Sequence, residues 1–168
     1  MNIPDLLPVP VVLVPVPVIE ALANVAYKRV LANHPALFER LDTYRDRRFG
    51  FVPTDLPIAF VARPSQGKIE VSRKPLRQDS VDVSVEAPFG LLLQLLQGSA
   101  DGDALFFSRD IQIAGDMEAL LALRNSLGDA RIDLAADVFG RGSPLSPLMR
   151  AVMQHLSVDR SEGARRWN

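Results

Sequence analysis

Acid–base or metal chemistry in this chain would have to come from two histidines, His34 and His155, and from the aspartates Asp101, Asp103, Asp110 and Asp116. The histidines are far apart, and neither has a second ligand at metal-binding spacing. The aspartates lack the calcium-loop pattern, and aspartates between apolar runs ordinarily serve turns and helix caps. Gly140-Arg141-Gly142-Ser143 is glycine-rich, but no clear strand leads into it as a phosphate loop requires. A Gly-x-Ser-x-Gly elbow is missing, and the absence of cysteine removes thiol catalysis, disulfides and Cys-based zinc sites. No nucleophile–base pair, metal set or flavin fingerprint emerges, so the expectation is a non-catalytic protein with no cofactor.

The bulk numbers set further bounds. The 168 residues suffice for one domain with a real core. Nineteen Lys and Arg balance 20 Asp and Glu, for a net charge of −1, which is no electrostatic footprint for nucleic acid. Hydrophobic residues make up 48% of the chain but aromatics only 7%, so the interior is mainly Leu, Val and Ala. Such an interior suits acyl or isoprenoid chains, and it equally suits an ordinary solid core.

The elements follow from periodicity. Leu6 to Ile19 is almost wholly apolar, but Pro8, Pro10, Pro15 and Pro17 interrupt it and no Lys or Arg precedes it. It therefore fits neither a signal sequence nor a membrane span. Two readings stay open for residues 1–17: an extended arm packed on the domain, or one that touches a membrane or a partner. A cysteine-free chain without a leader is expected in the cytoplasm, with peripheral contact at the inner membrane as the sharper alternative. Ile19, Leu22, Ala23, Ala26, Tyr27 and Val30 give one face of a helix over 18–31. Pro35 opens a short second helix carrying Leu37, Phe38 and Leu41.

Strands are expected at Leu56 to Arg63, Ile69 to Arg73 and Val81 to Val85, with an edge strand at Phe49 to Val52 and a last one at Ile111 and Ile113. Period-two patterning with one polar face argues for antiparallel pairing. Between these lies Pro88 to Gly98, where Phe89, Leu92, Leu93 and Leu96 form a core face and Leu91 and Leu95 a second apolar stripe. A helix apolar nearly all round is buried on two sides or covers something apolar. Asp116 is a natural cap for a helix carrying Met117, Leu120, Leu121 and Leu127, closed by Gly128-Asp129. Ser146 and Pro147 open a last helix with Leu145, Leu148, Met149, Val152, Met153 and Leu156 on one face. Arg45, Arg47 and Arg48, with Lys28 and Arg29, form a basic group that is a solvated face or a contact for anionic head groups.

The run Phe106-Phe107-Ser108-Arg109-Asp110-Ile111-Gln112-Ile113-Ala114-Gly115-Asp116-Met117 is the most specific feature. An aromatic pair, a short alternating strand, Gly-Asp and a leucine-rich helix resemble the core of the sterol-carrier-protein type-two (SCP-like) domains. The resemblance extends over roughly residues 49 to 127. Many members carry glycine where Arg109 stands here. Ser108-Arg109-Asp110, the stretch His34-Pro35-Ala36-Leu37-Phe38-Glu39-Arg40-Leu41 and the stretch Phe51 to Phe60 resemble the bacterial UbiT subgroup.

The resemblance implies an α+β fold: an antiparallel sheet of about five strands packed with helices around an apolar lipid cavity. It implies an arm at 1–17, a lipid-binding domain at 18–158 and a polar tail at 159–168. Candidate cavity walls are Leu91, Leu92, Leu95, Leu96, Phe106, Phe107, Met117, Leu120, Leu121, Met149, Val152 and Met153. The subgroup implies an accessory factor for oxygen-independent ubiquinone biosynthesis. Such a factor holds an isoprenoid quinone precursor or a phospholipid for UbiU- and UbiV-like hydroxylase partners. A general intracellular lipid carrier and an adaptor with a filled interior are the alternatives.

Overall fold

The computed structural model describes residues 14–37, 39–97, 109–133 and 136–137. The aromatic pair Phe106-Phe107 and the helix expected around Leu145 to Leu156 lie outside the described residues.

Helix α1 (Val16–Asn33) is slightly longer than its periodicity indicates. Pro17 sits in its first turn, where the missing N–H has no intrahelical acceptor to lose, and the helix stops at His34, before Pro35. The short second helix is instead two 3₁₀ segments, Pro35–Leu37 and Glu39–Tyr44. So short a piece gains little from α-helical propagation, and its stability comes from burying Leu37 and Leu41.

The sheet contains β1 (Phe49–Pro53), β2 (Ile58–Arg63), β3 (Lys68–Arg73), β4 (Val83–Ala87) and β5 (Gln112–Gly115), in the order β3-β2-β1-β4-β5. Thus β1 is central, not an edge, and its pairing with β4 is parallel while the other pairings are antiparallel. The chain leaves β3 and crosses the outer face of β2 and β1 before entering β4. Leu76 and Val81 of this crossover press onto Gly50, where a Cβ would stand 2.9 Å from Leu76 Cδ2 and 3.1 Å from Val81 Cγ1. Phe49 and Phe51 point to the opposite, inner face, so β1 is buried on both sides.

The β3 flank of the sheet is closed by a helix. Along β3, α1 substitutes for a missing strand. Asn24 Nδ2 donates to the Ile69 carbonyl at 2.7 Å, and the Ile69 N–H donates back to Asn24 Oδ1 at 2.9 Å. The Val71 N–H donates to Glu20 Oε2 at 2.8 Å. Arg73 donates to the Val14 carbonyl, so the residues just before α1 touch this same edge. Polar edge groups that would otherwise invite another strand are thereby occupied.

Helix α2 (Phe89–Leu96) follows Pro88, and Asp55 Oδ1 accepts the Phe89 N–H at 2.9 Å in place of a local cap. Helix α3 (Met117–Ala130) begins at Asp116, whose Oδ1 accepts the Ala119 N–H at 3.0 Å. It runs through Gly128 and closes at Arg131 in the left-handed conformation. A helical glycine costs only about 1 kcal/mol, which burial of Leu127 and Ile132 offsets.

Asp82 ties β1, β4 and β5 together. Its carboxylate accepts the Arg48 N–H at 2.7 Å and the Arg48 guanidinium at 3.1 Å, and its carbonyl accepts the Asp116 N–H at 2.9 Å. The guanidinium holds the Asp82 carboxyl below the usual carboxylate range. Gly115 completes the joint with φ of 99°, where a Cβ would stand 2.2 Å from the Asp82 carbonyl oxygen. Gly115→Ala is therefore expected to destabilise the fold by at least about 2 kcal/mol, measured by denaturant unfolding. A wild-type midpoint in that variant would show that the strand joint tolerates displacement.

Candidate functional site: an apolar cavity beneath the first helix

Among the described residues, the inner face of the sheet is not filled. Between it and helices α1, α2 and α3 lies a cavity of about 290 Å³. The floor is Phe49 and Phe51 of β1, Phe60 and Ala62 of β2, and Ile69 of β3. Register explains this set: Phe49 faces Ala62, Phe51 faces Phe60, and Ala62 faces Ile69, so all project to one side. The roof is Ala23, Ala26, Tyr27 and Val30 of α1, spaced three and four apart. Phe89, Leu92, Leu93 and Leu96 of α2 form one wall, and Leu123 and Leu127 of α3 another, with Leu37, Pro64 and Ile132 filling corners. Phe60 and Phe89 stack with ring centroids 6.4 Å apart where floor meets wall.

The expected wall residues divide clearly. Leu92 and Leu96 line the cavity. Leu91, Leu95 and Leu120 are buried but do not line it. Met117 and Leu121 are 46% and 42% exposed and do not line it. Phe106, Phe107, Met149, Val152 and Met153 lie outside the described residues. On α2 the face of Phe89, Leu92, Leu93 and Leu96 looks into the cavity, and Leu91 and Leu95 are buried away from it. The α1 roof and the phenylalanine floor are the residues that the reading of cavity walls missed. Alternating Phe49, Phe51 and Phe60 and the Ala-rich face of α1 were the available signals.

Chemically the lining is almost inert. Among the described lining side chains, only Tyr27 carries a polar atom. Burial pushes its phenol well above the ordinary value of 10.0, so it stays neutral. Several charged groups nearby are engaged elsewhere. Of the basic group considered for anionic head groups, Arg48 pairs with Asp82 and Arg47 Nε lies 3.4 Å from Asp116 Oδ2. His34 Nε2 lies 2.8 Å from Asp137 Oδ2, whose carboxylate also accepts from Asn33. Among the described residues no three His, Cys, Asp or Glu side chains form a potential metal site.

Tyr27 gives this site a pH signature. A phenol that ionises less readily folded than unfolded contributes stability that is intact below the unfolded value and is lost as pH rises above about 10. Thermal melts from about pH 8 to about pH 11 should therefore fall more steeply for the wild type than for Tyr27→Phe. Parallel curves would mean that the phenol is as well solvated folded as unfolded.

Comparison with known proteins agrees with this architecture. The family model described as the SCP-2 sterol transfer family matches residues 27–128, more than half of the chain. No curated protein matches significantly. A solved structure titled UbiJ-SCP2 ubiquinone synthesis protein superposes with a TM-score of 0.55 at 17% identity, covering 70% of this chain and 94% of that one. The apo sterol carrier protein 2 from Yarrowia lipolytica gives 0.44 at 12% identity, over 64% and 90% of the two chains. The sterol carrier protein domain 2 of Helicoverpa armigera gives 0.43 at 21%, over 63% and 89%. At such identities the UbiJ-SCP2 likeness speaks for the fold, and it is the family match across both α1 and α3 that decides membership: this chain belongs to the SCP-2 sterol transfer family.

Proposed function

We propose that this protein is a non-catalytic lipid-binding accessory factor that holds an isoprenoid quinone intermediate, or a phospholipid chain, during oxygen-independent ubiquinone biosynthesis. The observation that carries the proposal is the 290 Å³ cavity with its aliphatic and aromatic lining. An apolar chain gains about 0.8 kcal/mol per buried methylene there and needs no polar anchor. Membership of a sterol transfer family supports a lipid cargo. The pathway is supported by the resemblance to the UbiT subgroup, and the same fold occurs in a protein titled for ubiquinone synthesis. An adaptor with a filled interior would leave no such space.

The remaining parts of the proposal concern setting. The lipid-binding unit is taken as residues 18–158, with 1–17 as an arm and 159–168 as a tail. UbiU- and UbiV-like hydroxylases are its proposed partners. A cytoplasmic position with peripheral contact at the inner membrane fits the outer side of α1, where Val18, Leu22 and Val25 form an exposed stripe above the exposed Lys28 and Arg29. Among the described residues no helix is long and apolar enough to cross a membrane.

Protein purified gently from a bacterial host should carry stoichiometric lipid, detected by organic extraction and native mass spectrometry. Lipid-free, folded, monodisperse protein would count against a holding role. Deletion of the gene should lower ubiquinone in cells grown without oxygen and spare cells grown with it. Unchanged anaerobic quinone in a clean deletion would remove the pathway assignment while leaving lipid carriage open.

A further inference from the structure

Helix α1 has two apolar sides. One roofs the cavity; the other carries Val18, Leu22 and Val25, which are 48%, 65% and 50% exposed. Three large apolar side chains aligned over two turns, about 10 Å, form a ridge and not a scatter of single residues. We propose that residues 145–156 of this same chain fold back along the outer side of α1, antiparallel to it, and cover this ridge.

The point of departure is the first argument. Asn33 Nδ2 donates to Asp137 Oδ1 at 3.1 Å, and His34 Nε2 lies 2.8 Å from Asp137 Oδ2. The same carboxylate accepts the Asp133 N–H at 3.2 Å, and Asp133 Oδ1 accepts the Ala136 N–H at 3.0 Å. The chain is thus fastened to the C-terminal end of α1 at the residue from which it continues towards 145–156. The other apolar stretch outside the described residues, 6–13, is drawn elsewhere. It enters α1 through Val14, whose carbonyl accepts from Arg73 at the β3 edge, away from the ridge.

Spacing is the second argument. Read forward, Val18, Leu22 and Val25 are four and three residues apart; read backward, so are Leu156, Val152 and Met149. An antiparallel pair then sets Val18 against Leu156, Leu22 against Val152 and Val25 against Met149. Ser146 and Pro147 supply the helix start. Direction follows from the link 138–144. Its Gly140, Gly142, Ser143 and Pro144 suit a turn beside the end of α1, and not a straight run of about 22 Å back to Val18. The ridge is the surface offered above for membrane contact, so a covering segment makes that contact conditional on its release.

The chain has no cysteine, so introduced thiols report alone. In full-length protein free of vesicles, mild oxidation should close an intramolecular disulfide in the Leu22→Cys, Val152→Cys pair. It should not do so in the Leu121→Cys, Val152→Cys pair, which tests the exposed side of α3. Independently, Leu22→Cys alone should react with a maleimide roughly tenfold faster once Met149→Asp and Val152→Asp are added, because the label then no longer waits for local opening. Several results would overturn the proposal. A disulfide formed only with Leu121→Cys would place the segment on α3, and one formed only between molecules would make a second copy the cover. Labelling that is fast in solution and slowed only by phosphatidylglycerol vesicles would leave the ridge to the membrane. No disulfide in either pair, with labelling unchanged by the aspartates, would leave the ridge uncovered. Lipid holding, which rests on the cavity lining, stands apart from all of these results.

Discussion

The contact between α1 and the edge of β3 governs this molecule. Asn24 satisfies both backbone groups of Ile69, and Glu20 accepts from Val71, so three backbone groups at the edge depend on two helix side chains. Each such group left without a partner would cost about 1–3 kcal/mol. The contact also fixes the height of α1 above the sheet. Had α1 been anchored only by apolar packing, it could have settled towards Phe49, Phe51 and Phe60. Held at the sheet's edge by directional bonds, it instead spans the inner face as a roof.

The other side of the sheet is braced in a complementary way. Arg48, Asp82 and Gly115 join the starts of β1 and β4 to the end of β5, and the crossover through Leu76 and Val81 closes the outer face over Gly50. A parallel β1–β4 pair requires such a crossover, because a tight hairpin cannot join parallel strands. The floor of the cavity is therefore the stiff part of the fold. Helix α2, whose N-terminus is capped by Asp55 from the β1–β2 connection, is tied to that floor.

These relations explain which features the sequence disclosed. Strand positions, the cap at Asp116 and the mixed α+β composition were legible because each is set by a few neighbouring residues. The central place of β1 was not. Phe49-Gly50-Phe51 carries the same short-range pattern at an edge or in a centre, and only the distant Leu76 and Val81 decide. Likewise, periodicity showed that α2 has two apolar stripes and could not say which neighbour each meets. Leu91 and Leu95 are buried away from the cavity, while Leu92 and Leu96 face the space beneath α1. Gly128 misled as a stop signal because local propensity is small beside the burial that carries α3 past it.

The cavity itself has an energetic meaning. An apolar space lined by side chains forgoes dispersion contacts that a filled interior would make. Water offsets little of it, since a bound water needs two to four polar partners and the described lining side chains offer one phenol. Larger residues at Ala23, Ala26 and Ala62 would take up part of that space. Small residues on the roof and on the floor are what a ligand-filled protein requires, because an apolar chain entering the space returns the dispersion contacts and buried area that the alanines forgo. The apolar space is thus half of an interface that an apolar ligand would complete.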